Sequence, residues 1–574
     1  MAWSTIIPIT RVVFSAIVGH FIYVTYDHRR KINELCKQGL PMPKEWSWIT
    51  GQLLVLQEYV NGIPSDAAVA FAMRDLCQDF ARTEIFLVDF WPVYPPLFAV
   101  FGPEAASQIC NKYNLPKTTT AARFMKPVTG GPDLISMNGK EWKYWRSLFN
   151  PGFSTGAMLN NVPHIVDSVL VFREKLIERI AKGMFSLDEL TTKLIMEIIL
   201  KVTLDNDTNY QRSSNVLATA LGRILRWHSF WDPRVLMHPL RFFVQRHSGQ
   251  VMDTYILEFQ TRFQEIKSAR ASGGSNGTPN TSKSVIALAL EAYLDDHRQL
   301  IHPGDFEKAT LDTTFAKHAT SQIRLFLFAG SDTTASMMVY VYHMLSKHPA
   351  WLRRLRGEHD YIFGRDPVDA ASRLKENPGL LNDCKLTIAF IKETLRLHAP
   401  AGSLRSGLPG VSITDLQGNE LPMDYAGANI LHQALHLNPR VWPRANEFLP
   451  ERFLVKPEHE LYPDPAAYRP FEQGPRNCIG QTLVWNELRV AVVLTCRDLE
   501  IRDAYADFDA KNQSEMSVLG KLKRRVFGEP IKTLHGERAY QTDSGGCTLW
   551  TDIPAMLSGR KHPRIEAIDD TYFR

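Results

Sequence analysis

The ten residues Phe471-Glu-Gln-Gly-Pro-Arg-Asn-Cys-Ile-Gly480 constrain this 574-residue chain more than any other stretch. They set one thiol, Cys478, in a glycine-lined loop beside a cation and ahead of a helix. The helix is predicted from Gln481 onward, where apolar residues recur at helical spacing among good helix formers as far as Leu494. Cys478 thus stands at a helix N-terminus, where the macrodipole and the free backbone N–H groups favour an anionic sulfur, the form that binds metal. Gly474 and Gly480 let backbone approach a flat macrocycle, Arg476 can pair with an acidic group on it, and Phe471 can pack against the sulfur side. A lone cysteine would be an ordinary buried or redox residue; this constellation suits a thiolate bound to heme iron.

Leu325 to Leu345 carries a single charge, Asp332, and has the length of a membrane span. Its centre, Ala329-Gly-Ser-Asp-Thr-Thr334, is a polar cluster that is costly in lipid, so a buried catalytic helix is expected instead. Asp332 and Thr333 supply an acid and an adjacent hydroxyl in an apolar setting, where they can organise water and pass protons. Gly330 leaves room for a small ligand, and Thr334 is expected to be structural. The competing reading is a helix packed closely through small residues, with Asp332 in an unrelated ion pair.

Three further patterns need partners before they mean anything. Trp142 and Arg146 are four positions apart, so an indole N–H and a guanidinium share one helix face and can reach the same carboxylate. Glu393 and Arg396 share a face at the end of a helix that stops near Pro400; alone they are an ordinary ion pair. Arg405 lies just beyond, and Trp442 to Phe453 ends in Pro-Glu-Arg-Phe, with Arg452.

Taken together these motifs resemble the cytochrome P-450 superfamily. Phe471, Gly474, Arg476, Cys478 and Gly480 match its Phe-x-x-Gly-x-Arg-x-Cys-x-Gly signature, and 329–334 matches its distal-helix pattern. The resemblance covers nearly all of the chain to about residue 500. It implies a mainly α fold with small β-sheets, a triangular helical prism that holds heme b between a long distal helix and a proximal cysteine loop. Cys478 is then the axial iron ligand, a thiolate that favours O–O cleavage. Trp142, Arg146, Arg405 and Arg476 are implied to hold the propionates, and Glu393, Arg396 and Arg452 to form a buried architectural triad. The implied activity is a monooxygenase that inserts one atom of O2 into a lipophilic substrate, with electrons from NADPH through a membrane-bound reductase. The late Gly-Glu-Arg-Ala-Tyr-Gln541 and the cysteine loop are similar to fungal members that tailor polyketides and other secondary metabolites. A heme-thiolate isomerase, dehydratase or peroxygenase, and a non-catalytic heme sensor or carrier, stay open as alternatives; the Asp332–Thr333 pair argues against the first group.

The remaining features set the organisation. Ala2 to Tyr26 is largely apolar with Arg11 as its only charge, and Asp27-His-Arg-Arg-Lys31 follows, so residues 1–30 are expected to be a single-pass membrane anchor. The basic cluster places the catalytic domain in the cytosol, and the resemblance places the anchor in the endoplasmic reticulum. Pro41, Pro43, Trp46 and Trp48 then resemble the stiff hinge after such an anchor. Because the motifs converge on one cofactor, 31–574 reads as a single domain, with a flexible insert at about 271–284 and a polar C-terminal extension from about 503. Glu84 to Trp91 and Pro96 to Phe101 are expected as short strands. A net charge of +5 is too mild to imply nucleic acid, and seven irregularly spaced cysteines exclude a disulfide framework. Candidate pocket walls are 114–137, 227–231, the residues before Gly330, and 400–405.

Overall fold

The computed structural model describes residues 2–180, 182–229, 233–257, 260–261, 263–266, 283–298, 311–517, 532–542 and 554–559. The insert expected at 271–284 lies, but for its last two residues, outside them, as does Lys521 to Arg525 in the tail.

Helix α1 runs from Ala2–Lys37. Its large apolar side chains from Val12 to Tyr23 are exposed, whereas Arg29, Ile32 and Leu35 are buried against the body. Among the described residues no helix is long and apolar enough to cross a membrane. The segment read as a hinge is pinned to the body. Fully buried Asp89 pairs with Arg29, accepts from Trp46 Nε1 at 2.8 Å and meets His28 Nε2 at 2.8 Å, while the Pro41 carbonyl accepts from Leu87 N.

Both predicted strands form, as β1 (Ile85–Val88) and β2 (Leu97–Val100), and every residue in them is buried. With β3 (Ser403–Arg405) and β4 (Gly427–Ile430) they make a four-stranded sheet of order β1-β2-β4-β3, in which only β2 and β4 are parallel. One apolar core surrounds this sheet, and a second, larger one fills the helical body. The helices that matter for the site are α2 (Thr119–Thr129), α3 (Gly139–Phe149), α4 (Leu187–Leu204), α5 (Val216–Arg226), α6 (Arg241–Ile256), α7 (Thr313–Lys347), α8 (Lys385–Leu397) and α9 (Gln481–Thr495). The long α7 runs through the core, buried along most of its length, and packs most extensively on α4.

The C-terminal region is more than the polar extension expected from 503. Residues 554–559 form a strand, β6, antiparallel to β5 (Leu499–Asp503), and its N-terminal end pairs with Phe185–Ser186. Tyr540 is buried, Arg538 makes a bidentate pair with Asp509, and Gln541 reaches the Ala399 carbonyl. These contacts build the tail into the body, and the sequence pattern could not show its partners.

Candidate active site

Residues 471–480 fold back on themselves because the Cys478 N–H donates to the Phe471 carbonyl at 2.9 Å. Gly474 has φ of +79°, and a Cβ there would come within 2.6 Å of the Cys110 carbonyl, so the loop tolerates only glycine at that point. Helix α9 starts at Gln481, as predicted from the sequence, with Gly480 at its N-cap, where a Cβ would meet Cys478 Sγ at 4.0 Å. Cys478 is accessible although protein surrounds it on most sides, so its sulfur lies on the wall of a recess. Burial pushes its thiol up, while the Gly480 N–H and the Arg146 charge pull it down. The Phe471 ring packs on Trp485, 5.9 Å between centroids.

Arg146 is held by the loop itself. Nη1 and Nη2 donate to the carbonyl and side chain of Asn477 at 3.0 and 3.1 Å, and Nε donates to Asn150. This places it beside the sulfur, with its nitrogens already engaged. Trp142 is buried one turn earlier on α3, with the Arg476 guanidinium stacked 4.5 Å over its ring. Arg476 donates to Met137 O and Asn138 Oδ1, while its Nη1 is buried without a protein partner. Arg405, fully buried, donates to the Leu115 carbonyl and leaves Nε unpartnered.

Lys117, which sequence reasoning missed, completes this cluster. Burial and the charges of Arg405 and Arg476 push its ammonium down to about 7. Burial, Arg405 and Arg146 likewise push Arg476 down to about 10. Cations that weaken one another, two of them with unpaired buried N–H groups, are a donor set suited to a bound dianion such as the two carboxylates of heme. Asn138 stitches the group together by pairing with the Lys117 backbone in both directions. No local pattern marked Lys117, because its partners lie roughly 300 positions away in the chain.

On α7, Asp332 is half-buried with Oδ2 sealed off and unpartnered. Burial, reinforced by the Asp188 charge, pushes its acid up to about 8, so it is largely protonated at neutral pH and can donate as well as accept. Thr333 Oγ1 donates to the Ala329 carbonyl at 2.8 Å. A Cβ on Gly330 would meet Ile199 of α4 at 3.0 Å, so the missing side chain lets the two helices approach. Thr334 is fully buried beside Glu487 of α9, whose acid burial raises well above the usual range. Through this contact the helix bearing Asp332 meets the helix that follows Cys478.

Glu393, Arg396 and Arg452 lie together, all with no exposure. Both Glu393 oxygens accept from Arg396 at 2.7 Å, and Arg452 Nε donates to Oε1 at 3.3 Å. Arg396 also donates to the carbonyls of His436, Ala445 and Glu447. A cavity of about 190 Å³ sits at the sheet edge, lined by Tyr94, Thr118, Arg405 and Tyr425. It flanks the cationic cluster and does not reach Asp332 or Cys478.

Residues 59–524 match the family model described as Cytochrome P-450. The chain is 36% identical over 555 residues to cytochrome P-450 monooxygenase polC of Polytolypa hystricis, covering 94% of this chain and 93% of that protein. It is 29% identical to cytochrome P-450 monooxygenase acrF of Aspergillus aculeatus, covering 86% and 98%. A crystal structure of the cytochrome P-450DA heme domain superposes with a TM-score of 0.64 at 17% identity, covering 91% of this chain and 97% of that one, which shows the fold. The chain belongs to the cytochrome P-450 family of heme-thiolate monooxygenases.

Proposed function

We propose that this enzyme inserts one oxygen atom from O2 into a lipophilic intermediate of fungal secondary metabolism, drawing electrons from NADPH through a reductase. The observation that carries the reading is the pairing of two elements: the recessed Cys478 in its loop, and the protonated Asp332 next to Thr333 on the helix packed against α9. Bound heme supplies the oxygen-activating chemistry. The chain's own part is to hold the iron through Cys478, to bind the heme carboxylates through Arg405, Arg476 and Lys117 with Trp142 beside them, and to deliver protons. Arg146 acts on this reading by fixing Asn477 next to the ligand.

A producing strain lacking the gene is expected to accumulate a precursor that lacks one oxygen. In a strain carrying Thr333→Ala the same precursor accumulates, with product reduced by about 100-fold while the purified variant, reconstituted with a reductase, still supports NADPH oxidation. Unchanged product and coupling would remove Thr333 from proton delivery.

We further propose that residues 1–30 hold the chain at the endoplasmic reticulum as a single-pass anchor, with 31–574 as one cytosolic catalytic domain. Exposed Val12, Phe14, Ile17, Phe21 and Ile22 support this, since such apolar surface seeks lipid or a partner. The full chain is expected to remain with membranes after alkaline carbonate extraction, and a chain lacking residues 2–24 to be released. Release of the full chain would overturn the anchor.

A further inference from the structure

The turn that follows α5 carries His228, 1% exposed, and neither ring nitrogen has a partner among the described residues. The turn is held in place. Arg241 Nε and Gln245 Nε2 of α6 both donate to the Trp227 carbonyl, at 3.2 and 2.8 Å, and the His228 N–H donates to Leu225 O. The imidazole packs on the Phe124 ring of α2, centroids 4.1 Å apart. Helix α2 is in turn latched to α7, where buried Arg324 donates to the carbonyls of Val128 and Pro127 and pairs with Asp253 of α6. Arg324 precedes Gly330 by six positions, about 9 Å along the helix axis. His228 therefore belongs to the wall formed where α2, α5 and α6 close over the N-terminal half of α7, away from the cysteine loop.

Two unpaired buried nitrogens carry a desolvation cost, and a phenylalanine would fill the same space without it. Burial and the Arg241 charge push the imidazole down to about 4, so it is neutral at physiological pH and offers one donor and one acceptor. Among the described residues Arg241 is the only charged group that acts on it. A hydroxyl on a bound molecule can accept from the ring N–H or donate to the bare nitrogen, whereas a carbonyl or carboxylate oxygen pairs only with the N–H.

We propose that His228 hydrogen-bonds an oxygen function on the substrate, so that the enzyme selects a lipophile bearing a hydroxyl or carbonyl remote from the position it oxidises. This rests on the monooxygenase reading and adds a substrate class to it. A site built to pair a polar group rejects the analogue that lacks it more strongly than an apolar pocket rejects an added one.

The test is a titration of heme-loaded protein with a panel of rigid lipophiles in matched pairs that differ by one hydroxyl, read by the shift of the Soret band. The wild type is expected to bind the hydroxylated member of at least one pair about tenfold more tightly. His228→Phe is expected to erase that preference while still binding the deoxy member, and His228→Gln, which keeps a donor and an acceptor, to retain part of it. The reduced, CO-bound spectrum of each variant reports whether the heme site is intact, so a folding failure is visible separately. A wild type that prefers the hydroxylated member of no pair, or a His228→Phe protein that keeps the preference, overturns the proposal. Failure of the wild type to show a thiolate-type spectrum would instead overturn the family-level function.

Discussion

Cys478→Ala is expected to abolish the thiolate-type Soret band of the reduced, CO-bound protein and to reduce monooxygenase turnover to background, while leaving the fold in place. The two halves of this expectation have separate causes. The sulfur is the group placed to bind iron: it sits at the N-terminus of α9, lined by the Gly480 N–H and the Arg146 charge, and on the wall of a recess. Of the other described cysteines, Cys77, Cys110, Cys384 and Cys496 are buried and Cys36 sits on α1 with its thiol donating to Met42 Sδ; burial pushes all five thiols up. The fold should survive because the Cys478 side chain is exposed, and the backbone bond that shapes the loop runs from its N–H to Phe471 O. Far-UV circular dichroism and the unfolding midpoint of the heme-free variant should therefore match those of the heme-free wild type. Cys478→Ser tests the ligand chemistry more finely, since an alcohol at the same point resists deprotonation and should shift the band away from its thiolate position. A variant that retains the thiolate-type band would sink the assignment of Cys478 as the ligand.

How much of this could be read from the chain alone depends on the range of the interaction. The cysteine loop, the start of α9, the apolar run of α7 and the strands at 85–88 and 97–100 are local patterns, and the structure has these elements where the periodicity and turn residues put them. The pairing of β6 with β5 spans about fifty residues, and nothing in either segment names its partner. The same holds for Lys117, brought beside Arg405 and Arg476 only by the tertiary fold, and for Arg146, whose partner Asn477 lies on the far side of the sequence. Gly330 makes a related point: a small residue shows that something approaches, and the tertiary fold is what sets Ile199 of a neighbouring helix beside it.

Glu393→Ala is expected to destabilise the protein by about 3–5 kcal/mol, the usual cost of removing one partner from a buried ion pair. Stability of a whole domain is only about 5–15 kcal/mol, so a change of this size is enough to cut the yield of folded protein sharply. The cost is high because Glu393 neutralises two arginines that have no exposure at all, Arg396 and Arg452, and also accepts from the Leu449 N–H at 2.9 Å. Removing it leaves two buried cations with carbonyl partners but no counter-charge. The effect should reach the heme site through the backbone. Arg396 holds the carbonyls of His436, Ala445 and Glu447, and Arg452 Nη2 holds that of Arg444, so together they fix the segment that leads into 471–480. Loss of the thiolate-type band should therefore accompany the drop in urea midpoint, although the triad's hydrogen bonds run to the segment before the cysteine loop and not to the loop itself. Arg396→Lys separates charge from geometry: lysine keeps the cation but cannot make the bidentate pair and reach three carbonyls, so it should lose stability without leaving Glu393 unpaired. A Glu393→Ala protein with wild-type midpoint and an intact band would show that the triad is a bystander, and the bracing of the cysteine loop would have to come from the sheet-side contacts of Arg469 and Glu472 instead.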